Sequence, residues 1–438
     1  VQISVQPDWP LSLADDAPIW INVRQRRRPA DSGGGGSGSS RTFRARISPL
    51  RPPASAQQVT AEVADQQDGD GETATVKLTL SLLEPGRLCV RYAFGEAVHL
   101  ATFQSPQTTL DGLHQGKAVN SIDVTPGGIG VSSDAAGRLL VWDSATGEPR
   151  RRLEGHTGDV YTCRFFPSGI VAMSGGADCR IRVWACDTGA CAAVIVGHVG
   201  GVVGLAPIER GRNLVSAGRD GVVRLWDVGQ QRCLASYGEA ASPPDPVNSL
   251  CLVTPGPQLL PAEAAPASDR EIGTAGKAAL AGHESGWLVC YGLAGQRRAV
   301  WRSRQPSAVN FVCSAPTPDA ALAAVGCADG RLLALRFDRL QTTSESLEEV
   351  ADVDHVGEEQ RLLMLGPLLC GVFLRRPDRL AVGAQNGACA LLSLAPSQQP
   401  EILMQLTGPD CDPVYCLAWD AYHLYTGCRD GRVRKYRC

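Results

Sequence analysis

This sequence predicts an all-β fold made of a repeated blade. Trp142, Trp184 and Trp226 stand 42 residues apart, and the first and third are each followed by Asp. Gly155-His156 and Gly197-His198 lie upstream of the second and third tryptophans. Glycine supplies 48 of 438 residues and charged side chains 20%, which fits many short strands joined by tight turns. A Gly-His to Trp-Asp unit of about 40–45 residues is the signature of a WD40 β-propeller.

The elements follow in order. Residues 1–95 read as a small β-rich domain, with β-like runs at 19–23, 42–47 and 75–83. Arg26-Arg27-Arg28, a Gly/Ser tract at 33–40 and a polar stretch at 64–72 separate them; the tract reads as a flexible loop. Residues 96–438 read as a seven-bladed WD40 propeller. The first three blades run through 119–143, 160–184 and 202–226. The fourth begins at 247–252, is interrupted by a Pro/Ala-rich insertion at 255–276, and resumes at 277–291. The fifth covers 309–337, the sixth 362–365, 379–383 and 389–394, and the seventh 414–436. The chain stops at Cys438 after the seventh blade's third strand. A blade needs four strands and an open edge is a hazard, so the strand at 98–103 is expected to close the ring.

Composition narrows the function. Net charge is −3 and pI about 6.2, so no basic field collects nucleic acid or an acidic membrane surface. No apolar run approaches the roughly 18 residues needed to span a bilayer, and no signal peptide is expected. Lys435 occupies the position a prenylated cysteine would need. The chain begins with Val1, so an initiator methionine, or more, is expected to precede it. Of sixteen cysteines, Cys163, Cys251, Cys313 and Cys416 recur inside the first strand of four repeats, where a small apolar side chain suits a core. Cys186 and Cys191, like Cys411 and Cys416, lack the spacing and companion ligands of a zinc site. The expectation is free thiols in a reducing compartment, with no metal and no cofactor.

Two repeats carry a full polar set: His156, Ser174, Asp178 and Trp184, then His198, Ser216, Asp220 and Trp226. These residue types make a hydrolase triad, but a single active site does not repeat in register in successive blades. They read as a structural chain in which Asp orients His, His meets Ser, and Ser meets the Trp N–H; the other blades have lost it. Gly273-Thr274-Ala275-Gly276-Lys277 evokes a phosphate loop, yet Glu271 stands where the first glycine is needed and Ala278 where Ser or Thr is needed. No catalytic residues are assigned and no enzyme is expected.

Surface columns are more informative. Asn120, Tyr161, Val203, Asn248, Asn310 and Tyr415 enter the inner strands near the ring's opening. Arg219 and Arg429 precede the Asp of a turn in their blades. Asn, Tyr and Arg offer amphipathic area and adaptable hydrogen bonds, so Asn120, Tyr161, Arg219, Asn248, Asn310, Tyr415 and Arg429 are the candidate partner-binding residues. The competing reading is that each Asn caps its turn locally. The acidic run at 344–359 reads as a solvated loop or a site for a basic surface.

Several runs are more specific than generic repeats. Thr407-Gly408-Pro409-Asp410-Cys411-Asp412-Pro413-Val414-Tyr415, then Tyr425-Thr426-Gly427-Cys428-Arg429-Asp430-Gly431 and Val433-Arg434-Lys435-Tyr436, resemble the last blade of the proteasomal ATPase-associated factor family. So do Leu153-Glu154-Gly155-His156, Arg164-Phe165-Phe166-Pro167-Ser168-Gly169 and Arg210-Gly211-Arg212-Asn213, with a weaker echo in Gln6-Pro7-Asp8-Trp9. The tract at 33–40, the fourth-blade insertion and the acidic run depart from the family. The resemblance implies a non-enzymatic chaperone of regulatory-particle assembly in the cytoplasm and nucleus, and a monomer is expected. It implies binding to the C-terminal domains of the ATPase subunits of the 19S base, which keeps them off the 20S core until the base is complete. Alternatives are a generic interaction scaffold and a ubiquitin-ligase substrate receptor. The latter wants Arg two residues after Trp-Asp, where Ala145 and Gly229 stand.

Overall fold

The computed structural model of the chain describes residues 2–6, 8–10, 19–26, 40–47, 58–64, 75–84, 86–94, 97–238, 244–255, 268–294, 298–302, 307–316, 322–337, 350–352, 357–361, 366–394, 401–409 and 411–438. Arg27 and Arg28, the tract at 33–39, much of the polar stretch at 64–72 and residues 256–267 of the insertion lie outside them. So do residues 344–349 and 353–356 of the acidic run and the expected strand 362–365.

Alternation of apolar and polar residues sets the strands. The chain divides into two units: Val1–Gln107 with Ile402–Asp410, and Thr108–Glu401 with Cys411–Cys438. The boundary expected after residue 95 thus falls twelve residues later. The cause is the strand Ala97–Gln104, which pairs along its length with Arg87–Phe94 and, in parallel, with Glu401–Leu406.

The first unit has one sheet of Gln2–Val5, Ile19–Arg26 and Ser40–Ile47. In a second arrangement Gln58–Ala64, Thr75–Glu84, Arg87–Phe94, Ala97–Gln104 and Glu401–Leu406 follow one another. Leu78 and Leu80 on one strand, and Leu88, Val90 and Tyr92 on the next, alternate inward and pack with Ile3, Trp9, Ile19, Ile21 and Phe103. Trp9 is fully buried, and its indole Nε1–H donates to Thr407 Oγ1 at 3.3 Å.

The second unit is the propeller. Its innermost strands are Val119–Val124, Val160–Phe165, Val202–Ile208, Val247–Val253, Val309–Ser314, Leu368–Phe373 and Val414–Trp419. Each neighbours the next, and the last returns to the first. The second strands are buried nearly throughout, as in Asn213–Gly218, Ala278–His283 and Leu322–Cys327. Small and apolar side chains dominate there, because adjacent blades cover both faces. The outer strand Pro149–Leu153, by contrast, is exposed except at its last residue.

Among the described residues of this unit six blades are complete, five with four strands and the fourth with a fifth, Val350–Asp352, parallel to Arg298–Arg302, one fewer than the seven the repeat count predicts. The sixth repeat contributes three strands, Leu368–Phe373, Arg379–Ala384 and Cys389–Ser393. Its inner strand lies beyond the expected 362–365. The strand at 98–103 does not close the ring. Thr108–Leu110 does so instead, pairing antiparallel with Val433–Arg437 in the register Val433↔Leu110, Arg434↔Thr109 and Lys435↔Thr108. Leu110 can do this because it enters the cluster of Val119, Ile122, Trp142, Tyr425 and Val433. Part of the acidic run is also a strand, not a loop: Gly357–Arg361 is the outer strand of the fifth blade, paired with Arg331–Arg336.

Candidate functional site

One irregularity recurs in every inner strand. Pairing with the second strand skips a residue after Val119, Val160, Val202, Val247, Val309, Leu368 and Val414. The skipped residues are Asn120, Tyr161, Val203, Asn248, Asn310, Leu369 and Tyr415. A bulge leaves its extra residue unpaired and re-aims its side chain. All seven line one central cavity of about 350 Å³. The column expected at the ring's opening is therefore brought together by a geometry the blades share, one bulge per blade. Leu369 was missed because the sixth inner strand was expected six residues earlier; the Val/Leu that precedes each bulge was the available signal.

The asparagines are not local caps. Asn120 Nδ2 donates to the Val160 carbonyl at 3.2 Å, and Asn310 Nδ2 to the Leu368 carbonyl at 2.7 Å. Each ties its blade to the next. Asn248 Nδ2 donates to Glu284 Oε2 at 2.6 Å.

The two arginines differ. The Arg219 guanidinium lies over the Tyr161 ring, 5.0 Å from its centroid, and lines the cavity with it. Arg429 does not line the cavity; it pairs with Asp412 Oδ1 at 2.9 Å. Arg164, half exposed, adds a second guanidinium to the lining, 3.9 Å from Asp123 Oδ1. Asp123 carries a carboxyl pushed above its ordinary value by burial, against the opposing pull of Arg164 and of the Phe165 and Val124 N–H groups.

The polar sets are structural chains. His156 Nδ1 lies 2.9 Å from Asp178 Oδ2 and its Nε2 lies 2.7 Å from Ser174 Oγ, which accepts the Trp184 N–H at 2.8 Å. His198, Asp220, Ser216 and Trp226 repeat this at 2.9, 2.7 and 2.7 Å. The first blade carries a third chain, contrary to the expectation that only two blades have one. There His114 meets Asp134 at 3.0 Å and Ser132 at 2.7 Å, and Ser132 accepts the Trp142 N–H at 3.0 Å.

Its aspartate sits two residues after the serine rather than four, and no glycine precedes His114. The usable signal was the spacing shared by all three, 18 residues from His to Ser and 10 from Ser to Trp. Burial raises the Asp134 and Asp220 carboxyls, but the histidine and backbone N–H donors outweigh it and hold both below their ordinary range. In each chain the histidine Nδ1–H donates to the carboxylate, so Nε2 accepts the serine O–H. The serines are fully buried, with the hydroxyl oxygen engaged by indole, which leaves no approach for a substrate carbonyl.

The glycine before His198 has a physical cause. Gly197 has φ +157°, and a Cβ there would lie 2.7 Å from the Trp226 ring. Lys277, the lysine of the phosphate-loop lookalike, pairs with Glu209 Oε1 at 3.0 Å.

The WD domain, G-beta repeat family (WD40) matches residues 147–185, 189–227 and 400–437. Proteasomal ATPase-associated factor 1 of Homo sapiens is 43% identical over 342 residues, 76% of this chain and 79% of that protein. The Bos taurus and Gallus gallus proteins of that name are 41% identical over 347 residues and 43% over 338, with the same coverage.

Proposed function

The chain belongs to the family of proteasomal ATPase-associated factor 1, and from that premise we propose that it is a non-catalytic WD40 assembly chaperone for proteasomal ATPase subunits. The observation that carries this reading is 43% identity over 76% of the chain. In the proposed mechanism the rigid ring presents its rim to the C-terminal domain of one of the ATPases of the 19S base. Occupying that domain blocks premature docking on the 20S core, and release follows when the growing particle offers a better partner. Asn120, Tyr161, Arg219, Asn248, Asn310, Tyr415 and Arg429 are the proposed contact residues. The proposed state is a monomer, acting in the cytoplasm and nucleus.

Two features support a scaffold. Side chains that look catalytic are engaged inside the blades, and the rim residues are held by one bulge per blade. The deciding experiment is a pull-down of isolated C-terminal domains of the proteasomal ATPases and, separately, of assembled 26S particles. Capture of free domains with poor capture of the finished particle is expected. Capture of neither would reduce the reading to a generic interaction scaffold.

A further inference from the structure

The three-stranded sheet of the first unit has two faces of opposite character. Ile19–Arg26 is its central strand, between Gln2–Val5 and Ser40–Ile47. Ile3, Ile19 and Ile21 are buried and mark the inner face. Ser4 and Trp20, which alternate with them, are exposed, Trp20 at 48%. Successive residues of a strand lie on opposite faces, so Asn22, Arg24 and Arg26 share the face of Trp20. The register Trp20↔Arg46 and Asn22↔Arg44 places Arg44 and Arg46 there as well. The two longer strands contain no Asp or Glu. A net charge of −3 for the whole chain conceals this local concentration of arginine.

The spacing and the aromatic residue point to one class of partner. Alternate residues of a strand stand about 7 Å apart and neighbouring strands about 5 Å, so the four arginines cover an area suited to a chain of anions. An exposed indole among them offers a stacking platform that a nucleobase fills. A carboxylate-rich peptide or a lipid headgroup brings charge but no flat ring. The outer strand Pro149–Leu153 shows the contrast. Its three arginines are exposed too, but Arg150 pairs with Asp143, Arg152 with Glu154 at 3.8 Å, and Arg151 donates to the Asp187 carbonyl at 2.9 Å. That strand carries no aromatic residue.

We propose that the outer face of the Gln2–Val5, Ile19–Arg26, Ser40–Ile47 sheet binds single-stranded nucleic acid, with Arg24, Arg26, Arg44 and Arg46 holding phosphates and Trp20 stacking a base. Arginine suits the task because its planar fork takes phosphate oxygens in pairs. This goes beyond the chaperone reading and shares no residue with it.

The test uses the full chain and a fluorescein-labelled oligouridylate of about 12 nucleotides, within the span one binding fold covers, read by fluorescence anisotropy. Wild type is expected to bind it with a slope of log affinity against log salt of about −3, from about −0.7 for each of four phosphates. Arg24→Gln combined with Arg46→Gln should reduce that slope to about −1.4. Trp20→Ala should weaken binding about tenfold at fixed salt while leaving the slope as it was, and Trp20→Phe should restore most of the loss. Arg150→Gln with Arg152→Gln should change neither. Circular dichroism melts identify any variant that misfolds, and the wild-type slope needs no variant at all. Unlabelled polyglutamate and phosphatidylserine vesicles should compete poorly. Competition by either as strong as by unlabelled oligouridylate would reassign the face to acidic peptides or to membranes and overturn the proposal. No binding by wild type, or undiminished binding by folded Trp20→Ala, overturns it as well.

Discussion

Ser132 shows how much one hydroxyl can organise. It joins His114 to Trp142 in the interior of the first blade, donating to one and accepting from the other. Ser132→Ala leaves a buried imidazole nitrogen and an indole N–H without a partner, which costs about 1–3 kcal/mol. Equilibrium urea unfolding should show that loss, and a loss matching an exposed Ser→Ala change would mean the chain is not structural. Burial pushes the His156 and His283 imidazoles below their ordinary value of 6.5, against the pull of Asp178 and Asp245. Below pH 6.5 the unfolded chain therefore takes up protons that the folded chain resists. Stability present above that pH is lost as pH falls toward the folded values. The urea midpoint is expected to drop between pH 7 and pH 5; a flat profile would contradict the neutral buried imidazoles. The sequence displayed two of these chains at once, because His, Ser, Asp and Trp stood at identical spacings. It hid the third, because an aspartate reaches the same histidine from two different backbone positions.

At the scale of elements, the short strand Thr108–Leu110 decides whether the seventh blade has an outer edge. Leu110 is buried in the cluster with Val433 and Tyr425, whereas Leu100, on the strand first expected to close the ring, is 69% exposed. Leu110→Asp should destabilise the propeller by about 3 kcal/mol or more, through a buried unpaired charge. Leu100→Asp should stay within about 0.5 kcal/mol, as exposed sites do. Thermal melts of both variants check the assignment, and the reverse order would restore 98–103 as the closing strand. Both segments read as strands in sequence, since β-propensity reports a fit to a pleated surface and not the identity of the neighbour. The same limit applied to Gly357–Arg361, whose glutamates suggested a loop until a free edge on Arg331–Arg336 was there to pair with it.

Across the whole molecule, all sixteen cysteines are free thiols. Burial pushes Cys163, Cys290 and Cys313 up to about 12, far from the thiolate that reacts. Cys191 and Cys411 are exposed. Under native conditions a thiol reagent should modify Cys191 and Cys411 first, with the buried Cys163 and Cys290 labelled only after denaturant is added. Mass spectrometry of the labelled peptides reads this directly, and early modification of Cys163 would mean the inner strands open readily. The periodicity of Trp142, Trp184 and Trp226 was sufficient for a WD40 ring, because each blade must present the same polar and apolar pattern to its neighbours. Spacing also placed the rim column, with Tyr161 and Tyr415 in it. Local pattern could not choose which of two β-like segments completes a blade, draw residues 402–410 into the first unit, or tell Arg219 from Arg429. Those outcomes depend on which edge, cluster or carboxylate lies within reach once distant parts of the chain meet, and only the tertiary structure sets those distances.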